Sequence, residues 1–139
     1  MSLTPRQVEL VQSTFRIVQP MTAITGEIFY KRLFEVDPSI RGLFRGDIKQ
    51  QGRTFMQVLA VAVSGLSGMS TLAPIVQDLG LRHASYGVRP EHYDSVRQAL
   101  LWTLALVLQD AYTDEVRSAW ATAYAMLAGV MKEAAWGVP

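Results

Sequence analysis

The chain has 139 residues, half of them hydrophobic and 18% charged, with a formal net charge of +1 and no cysteine. This is enough for one domain with one sizeable core, and it excludes a disordered chain. Acids and bases interleave without the basic stripe of a nucleic-acid binder, and disulfides, thiolate nucleophiles and cysteine-held metals are all unavailable.

The first residues, MSLTPRQVEL, lack the apolar core of a signal peptide. Thr4, Pro5 and Gln7 instead make a cap, a favoured first-turn proline and a capping-box partner. Val8, Val11, Phe15 and Val18 follow on one helical face until Pro20 interrupts. A second helix is predicted to turn Ile24, Ile28 and Phe34 inward and to stop before Asp37-Pro38. Pro38 starts a short helical piece ending near Phe44, and Arg45-Gly46-Asp47 turns the chain. Asp47 and Gln50 form a second candidate capping box. It opens a helix with Phe55, Val58, Leu59, Ala62 and Leu66 facing inward, broken at Ser67-Gly68.

Leu72, Val76, Leu79 and His83 step by three or four along the next helix, which ends at Gly87. Pro90 restarts a long apolar helix reaching about Leu108. Its run ALLWTLALVLQ is about half a membrane span and reads as buried, not as a membrane crossing. Thr113, followed by Asp114 and Glu115, opens the last helix. No alternating strand and no hairpin turn is found. The expected architecture is a single all-α domain of six to eight helices over residues 1–139, in a soluble cytoplasmic protein.

Only two histidines are present, His83 and His92, both within LGLRHASYGVRPEHY. His83 projects from the apolar face of its helix. Taken alone, such a residue is a core histidine bonded to a carbonyl, or else a metal ligand with one lone pair unclaimed. His92, just past Pro90, suits a solvated or capping role. Zinc needs three or four protein ligands, which two histidines without thiols do not supply. No nucleophile elbow, dinucleotide loop or phosphate loop is present. One histidine on an apolar wall suits haem, which brings four ring nitrogens and leaves the protein an axial position to fill.

A haem pocket also needs something polar opposite the histidine. Tyr30 and Gln51 are polar residues in apolar surroundings, although an amphipathic helix or plain solvent exposure explains each in isolation. Gly26 lies one turn before Tyr30 and Gly52 directly follows Gln51. A glycine inside a helix costs about 1 kcal/mol relative to alanine, and close approach of two backbones where helices cross would account for both.

These residues together resemble the globins, specifically single-domain bacterial globins similar to the haem domain of flavohaemoglobins. The resemblance runs from about Leu3 to Glu133. EIFYKRLFEVDPSIRGLF resembles the family's second helix entering its short third, and QGRTFMQVL the distal helix. LGLRHASYGVRPEHY resembles the proximal segment, and WATAYAMLAGVM the last helix. The resemblance implies a globin fold around haem b, with His83 as the iron ligand and Tyr30 and Gln51 as the distal pair. Phe44 would wedge against the haem and Tyr93 would hydrogen-bond on the proximal side. Phe55, Val88, Val96, Leu100 and Tyr124 would line the pocket. The Leu79 carbonyl would accept from His83, and Arg82 or Arg89 would meet the propionates.

Three departures stand out. Phe55 takes a position more often held by Leu or Val, implying a smaller or reshaped ligand cavity. Ala134 and Ala135 stand where flavohaemoglobins have a glutamate bonded to the proximal pair, and Glu133 falls slightly early to replace it. The chain stops at Pro139, so no reductase domain is expected to follow.

The function this implies is binding of O2 with high affinity, for storage, delivery or scavenging, because two donors aimed at the ligand stabilise the charge it acquires. The alternative is nitric oxide dioxygenation to nitrate with a separate reductase. A globin-fold interaction or sensor module without haem is a third reading. Such a module need not keep Tyr30, Gln51 and His83 together.

Overall fold

The computed structural model describes residues 3–44 and 46–137. Among them lie six α-helices, four short 3-10 segments and no strand. The α-helices are α1 (Pro5–Val18), α2 (Thr22–Val36), α3 (Ile48–Ser64), α4 (Met69–Ser85), α5 (His92–Leu108) and α6 (Asp114–Trp136).

Local chemistry explains most of the boundaries. Thr4 and Gln7 form the reciprocal capping box at the start of α1. Thr113 accepts from the Val116 N–H to open α6. Asp47 caps α3 by accepting from the Lys49 N–H at 3.0 Å. This is a single cap rather than the expected reciprocal pair with Gln50. Gly46 and Gly87 have φ of +94° and +96°, so both turns use a backbone conformation that disfavours a side chain. Arg45, expected in the first of these turns, lies outside the described residues.

The packing is α1 on α6, α2 on both α3 and α5, and α4 on α6. The α1–α6 contact carries a buried polar tie, in which Trp120 Nε1 donates to Thr14 Oγ1 at 2.9 Å. Thr14 in turn donates to the Leu10 carbonyl, so no buried polar atom in this tie is orphaned.

On two helices the inward face is wider than expected and rotated from it: Phe34, Phe55, Leu59 and Leu66 pack on the core as expected, but Ile24 and Val58 do not. On α2 it is Thr25, Gly26, Phe29, Tyr30 and Leu33 that are buried, while Ile24 is 56% exposed. On α3, Met56 and Val63 are buried and Val58 lies at the surface. Both helices carry two apolar stripes. The side with the glycine turns furthest inward because only there can the two backbones meet.

The α5–α6 corner holds the one described non-glycine residue with positive φ, Gln109 at 51°. Such a conformation costs on the order of 1–3 kcal/mol in a residue with a Cβ. Gln109→Gly should therefore stabilise the protein by about 1 kcal/mol after the extra entropy of an unfolded glycine. Thermal or denaturant unfolding would read this, and a destabilised variant would count against strain at the corner.

Candidate functional site

α2 and α3 cross too closely for a side chain on either glycine at the contact. A Cβ built on Gly26 would lie 2.6 Å from the Gly52 carbonyl oxygen, and one on Gly52 would lie 2.9 Å from the Gly26 carbonyl carbon. Three residues beyond each glycine stands a phenylalanine, and the rings of Phe29 and Phe55 stack in parallel with centroids 4.1 Å apart. Tyr30 is buried beside them.

Its ring meets Phe29 and Phe44 edge-on at 5.0 Å, Phe55 at 6.0 Å and Phe34 at 5.9 Å. Burial pushes the phenol up to about 12, so the hydroxyl stays protonated and can donate. No described residue hydrogen-bonds to that hydroxyl, nor does it rank among the sealed-off polar atoms. Gln51 is half-buried one turn before Phe55 on α3, so it shares the face that carries the stack.

His83, the candidate metal ligand, is carried by α4. Its Nδ1 lies 2.7 Å from the Leu79 carbonyl oxygen one turn earlier. A carbonyl only accepts, so Nδ1 holds a proton, and in the neutral ring Nε2 is the nitrogen with the lone pair. The ring is half-buried, and the Val88 N–H donates to the His83 carbonyl where the chain leaves the helix. α3 packs on α2 and α4 packs on α6, without a substantial contact between α3 and α4.

This donor set is selective. Among the described residues no three His, Asp or Glu side chains come together. A metal at His83 must therefore bring most of its own ligands, as a haem iron does. A ring of aromatic side chains around Tyr30 and an imidazole whose Nε2 is not spent on the protein are the residue types a flat apolar macrocycle with a central iron needs, so the residues present fit haem.

Comparison with known proteins agrees with the geometry. The Globin family profile matches residues 27–131. The chain belongs to the globin family. It is 35% identical over 133 residues to the flavohemoprotein of Rhizobium meliloti, covering 93% of this chain and 33% of that one. It is 33% identical to the flavohemoprotein of Bacillus subtilis, over 91% of this chain and 32% of the relative. Flavohemoprotein A of Dictyostelium discoideum is 32% identical, over 92% and 32%. The chain thus spans about a third of the length of these relatives.

The globin's remaining candidates sort by what they touch. His92 Nδ1 accepts from the Arg89 N–H at 2.9 Å, which spends it on the turn before α5. Arg89 pairs with Glu91 at 2.8 Å and Arg82 with Asp78 at 3.0 Å, all well exposed. Such exposed pairs are worth roughly 0–1 kcal/mol and break readily for a stronger partner. Leu100 is buried, and Val88, Val96 and Leu79 are half-buried. No helix among the described residues is long and apolar enough to cross a membrane.

The proximal-side tyrosines depart from the expectation. The Tyr93 hydroxyl is buried with no partner. Its ring packs edge-on against Trp136 at 6.2 Å, with the Lys132 ammonium 5.9 Å from the ring centre. Glu133 is exposed, and no described residue replaces the missing glutamate at that hydroxyl. Tyr124 instead donates to the Tyr93 carbonyl at 2.7 Å, tying α6 to the start of α5. The sequence reading missed Phe29 and Phe34 as members of the Tyr30 cage. Their signal was the aromatic density of EIFYKRLF.

Burial raises Tyr30 and Tyr93 to about 12 and lifts Tyr124 further. An unfolded tyrosine titrates near 10. Between those limits the native state keeps protons that the unfolded chain has lost. The stability contributed is therefore complete below pH 10 and falls as pH rises from about 10 to about 12. Alkaline unfolding should be steep in this window and shallower in Tyr124→Phe, as denaturant midpoints against pH would show. Equal slopes in both proteins would contradict this assignment.

Proposed function

We propose that this globin holds haem b on His83 and binds dioxygen tightly and reversibly beside Tyr30 and Gln51. The observation that supports the reading best is the Tyr30 hydroxyl. It is a protonated donor in an apolar cage, with no hydrogen-bond partner among the described residues. A polar group held in such surroundings has a large affinity for whatever acceptor is placed before it.

When bound, haem supplies a ferrous iron that takes diatomic gases and shifts electron density onto them. The protein does the rest. His83 offers Nε2 because the Leu79 carbonyl holds the other nitrogen as N–H. Tyr30 donates to the charge that develops on the ligand, and the Gln51 amide is a second donor from α3. The amide is also a poorer iron ligand than an imidazole, which keeps the distal side open.

Phe44 and Phe55 exclude water, which strengthens those bonds. Leu79, Val88, Val96, Leu100 and Tyr124 complete the apolar lining, and Arg82 can exchange Asp78 for a propionate. With no cysteine in the chain, thioether attachment of the haem is unavailable, consistent with a b-type group. We place residues 1–139 as one domain working in the cytoplasm. An absorption spectrum of the purified or haem-reconstituted protein, followed by oxygen-release kinetics, tests this. Absence of a haem band after reconstitution would refute it.

A second reading is supported by the relatives, which are named flavohemoproteins and are about three times as long. In it the same pocket turns over nitric oxide: NO, O2 and one electron give nitrate, and a separate flavin reductase supplies the electron. Tyr30 and Gln51 would hold the oxygen in place for attack. Sustained nitrate formation with NO, O2 and a reductase supports this reading. A single turnover that stops at oxidised protein supports the carrier.

A further inference from the structure

Gly80 lies in α4 three residues before His83, buried against α6. A Cβ built on it would stand 2.4 Å from the Met131 carbonyl oxygen and 2.7 Å from the Met131 Cα. Those neighbours are backbone, so no rotamer change relieves the overlap. α4 therefore rests on α6 more closely than any residue with a side chain would allow. Three residues along a helix is a turn of about 300°, which puts His83 beside the contact, so a shift of α4 at Gly80 carries the imidazole with it.

The ends of α4 are held by local backbone bonds, not by side-chain caps. The helix starts at Met69 with no side-chain cap, and Pro74 inside it removes one backbone hydrogen bond. Its C-terminus opens into Gly87, where φ is +96°.

We propose that Gly80 is the positioning residue for the His83 imidazole, setting how far it projects toward the distal wall whether or not it holds a ligand. This rests on the haem reading above. It parallels the distal wall, where Gly26 and Gly52 precede Phe29 and Phe55 by the same three residues. In Gly80→Ala the crossing must open from 2.4 Å to at least 3.0 Å. Misplacements of about 1 Å are enough to cost ~10²-fold at a reacting centre.

The test uses ferrous haem-loaded protein and resonance Raman spectroscopy. Gly80→Ala should shift the iron–imidazole stretching band and speed haem transfer to an apoglobin acceptor about tenfold or more. The C–O stretch of its carbon monoxide complex, which reports on Tyr30, should stay unchanged. Gly26→Ala should do the opposite, moving the C–O stretch and leaving the iron–imidazole band. A Gly80→Ala protein with the wild-type band and haem-transfer rate overturns the proposal.

Should that variant not fold, amide hydrogen exchange of the wild-type apoprotein decides. Leu79 to Ala84 should remain at least tenfold protected without haem. Exchange there at the rate of a free peptide overturns the proposal, because haem rather than the crossing would then be holding α4. Failure of the wild-type protein to take up haem would refute the haem reading alone, and the apoprotein measurement would still judge Gly80.

Discussion

His83→Ala is expected to purify without the haem absorption band, and free imidazole should restore part of it. The sequence holds one other imidazole, and it is already engaged. His92, the second histidine, spends its Nδ1 on the Arg89 N–H at 2.9 Å, whereas His83 keeps Nε2 free because Leu79 claims Nδ1. Loss of a group that merely supports a metal ligand costs about 10–100-fold in affinity, so loss of the ligand itself should cost more. His92→Ala is the control. It removes one exposed turn bond, worth about 1 kcal/mol, and should leave the spectrum unchanged. A haem band retained in His83→Ala and lost in His92→Ala would reverse the assignment.

Tyr30→Phe should release oxygen about ten- to a hundredfold faster, since a hydrogen bond to a charged acceptor is worth roughly 1.5–3 kcal/mol. Two features make the substitution clean. The ring stays in its cage between Phe29, Phe34, Phe44 and Phe55, so packing is conserved. The hydroxyl has no partner among the described residues, so its removal strands no polar group of theirs and stability should hold or rise slightly. Carbon monoxide accepts less charge than oxygen and should leave at a nearly unchanged rate. Stopped-flow release of both gases reads the difference. A mutant that releases oxygen no faster than the wild type would remove Tyr30 from the role proposed for it.

Much of the molecule was legible because its causes are local. The cap at Thr4, the cap at Thr113 and the turn at Gly87 each depend on bonds or dihedrals within one helical turn. Periodicity likewise located His83 on its helix. Gly26 and Gly52 stood out as misfits in helical context, which was enough to expect a close crossing. Gly80 was equally informative and passed unnoticed. Nothing in LGLRHAS indicates that the backbone of Met131 lies against it.

The sequence by itself determined the helices and the family, and it singled out Tyr30, Gln51 and His83 as the candidates. Each depends on residue type at short spacing, and in a cysteine-free chain with two histidines few other candidates remain. Only the tertiary structure decided which stripe of α2 and α3 faces inward and which nitrogen of His83 carries the proton. It also decided that Arg82 and Arg89 are engaged with Asp78 and Glu91, and that the Tyr93 hydroxyl is buried without a partner. The reason is physical. Helix formation is settled by bonds a few residues apart, whereas a face, a tautomer or a stranded hydroxyl depends on which distant backbone comes to lie beside it. In this globin that is decided where glycines let helices touch.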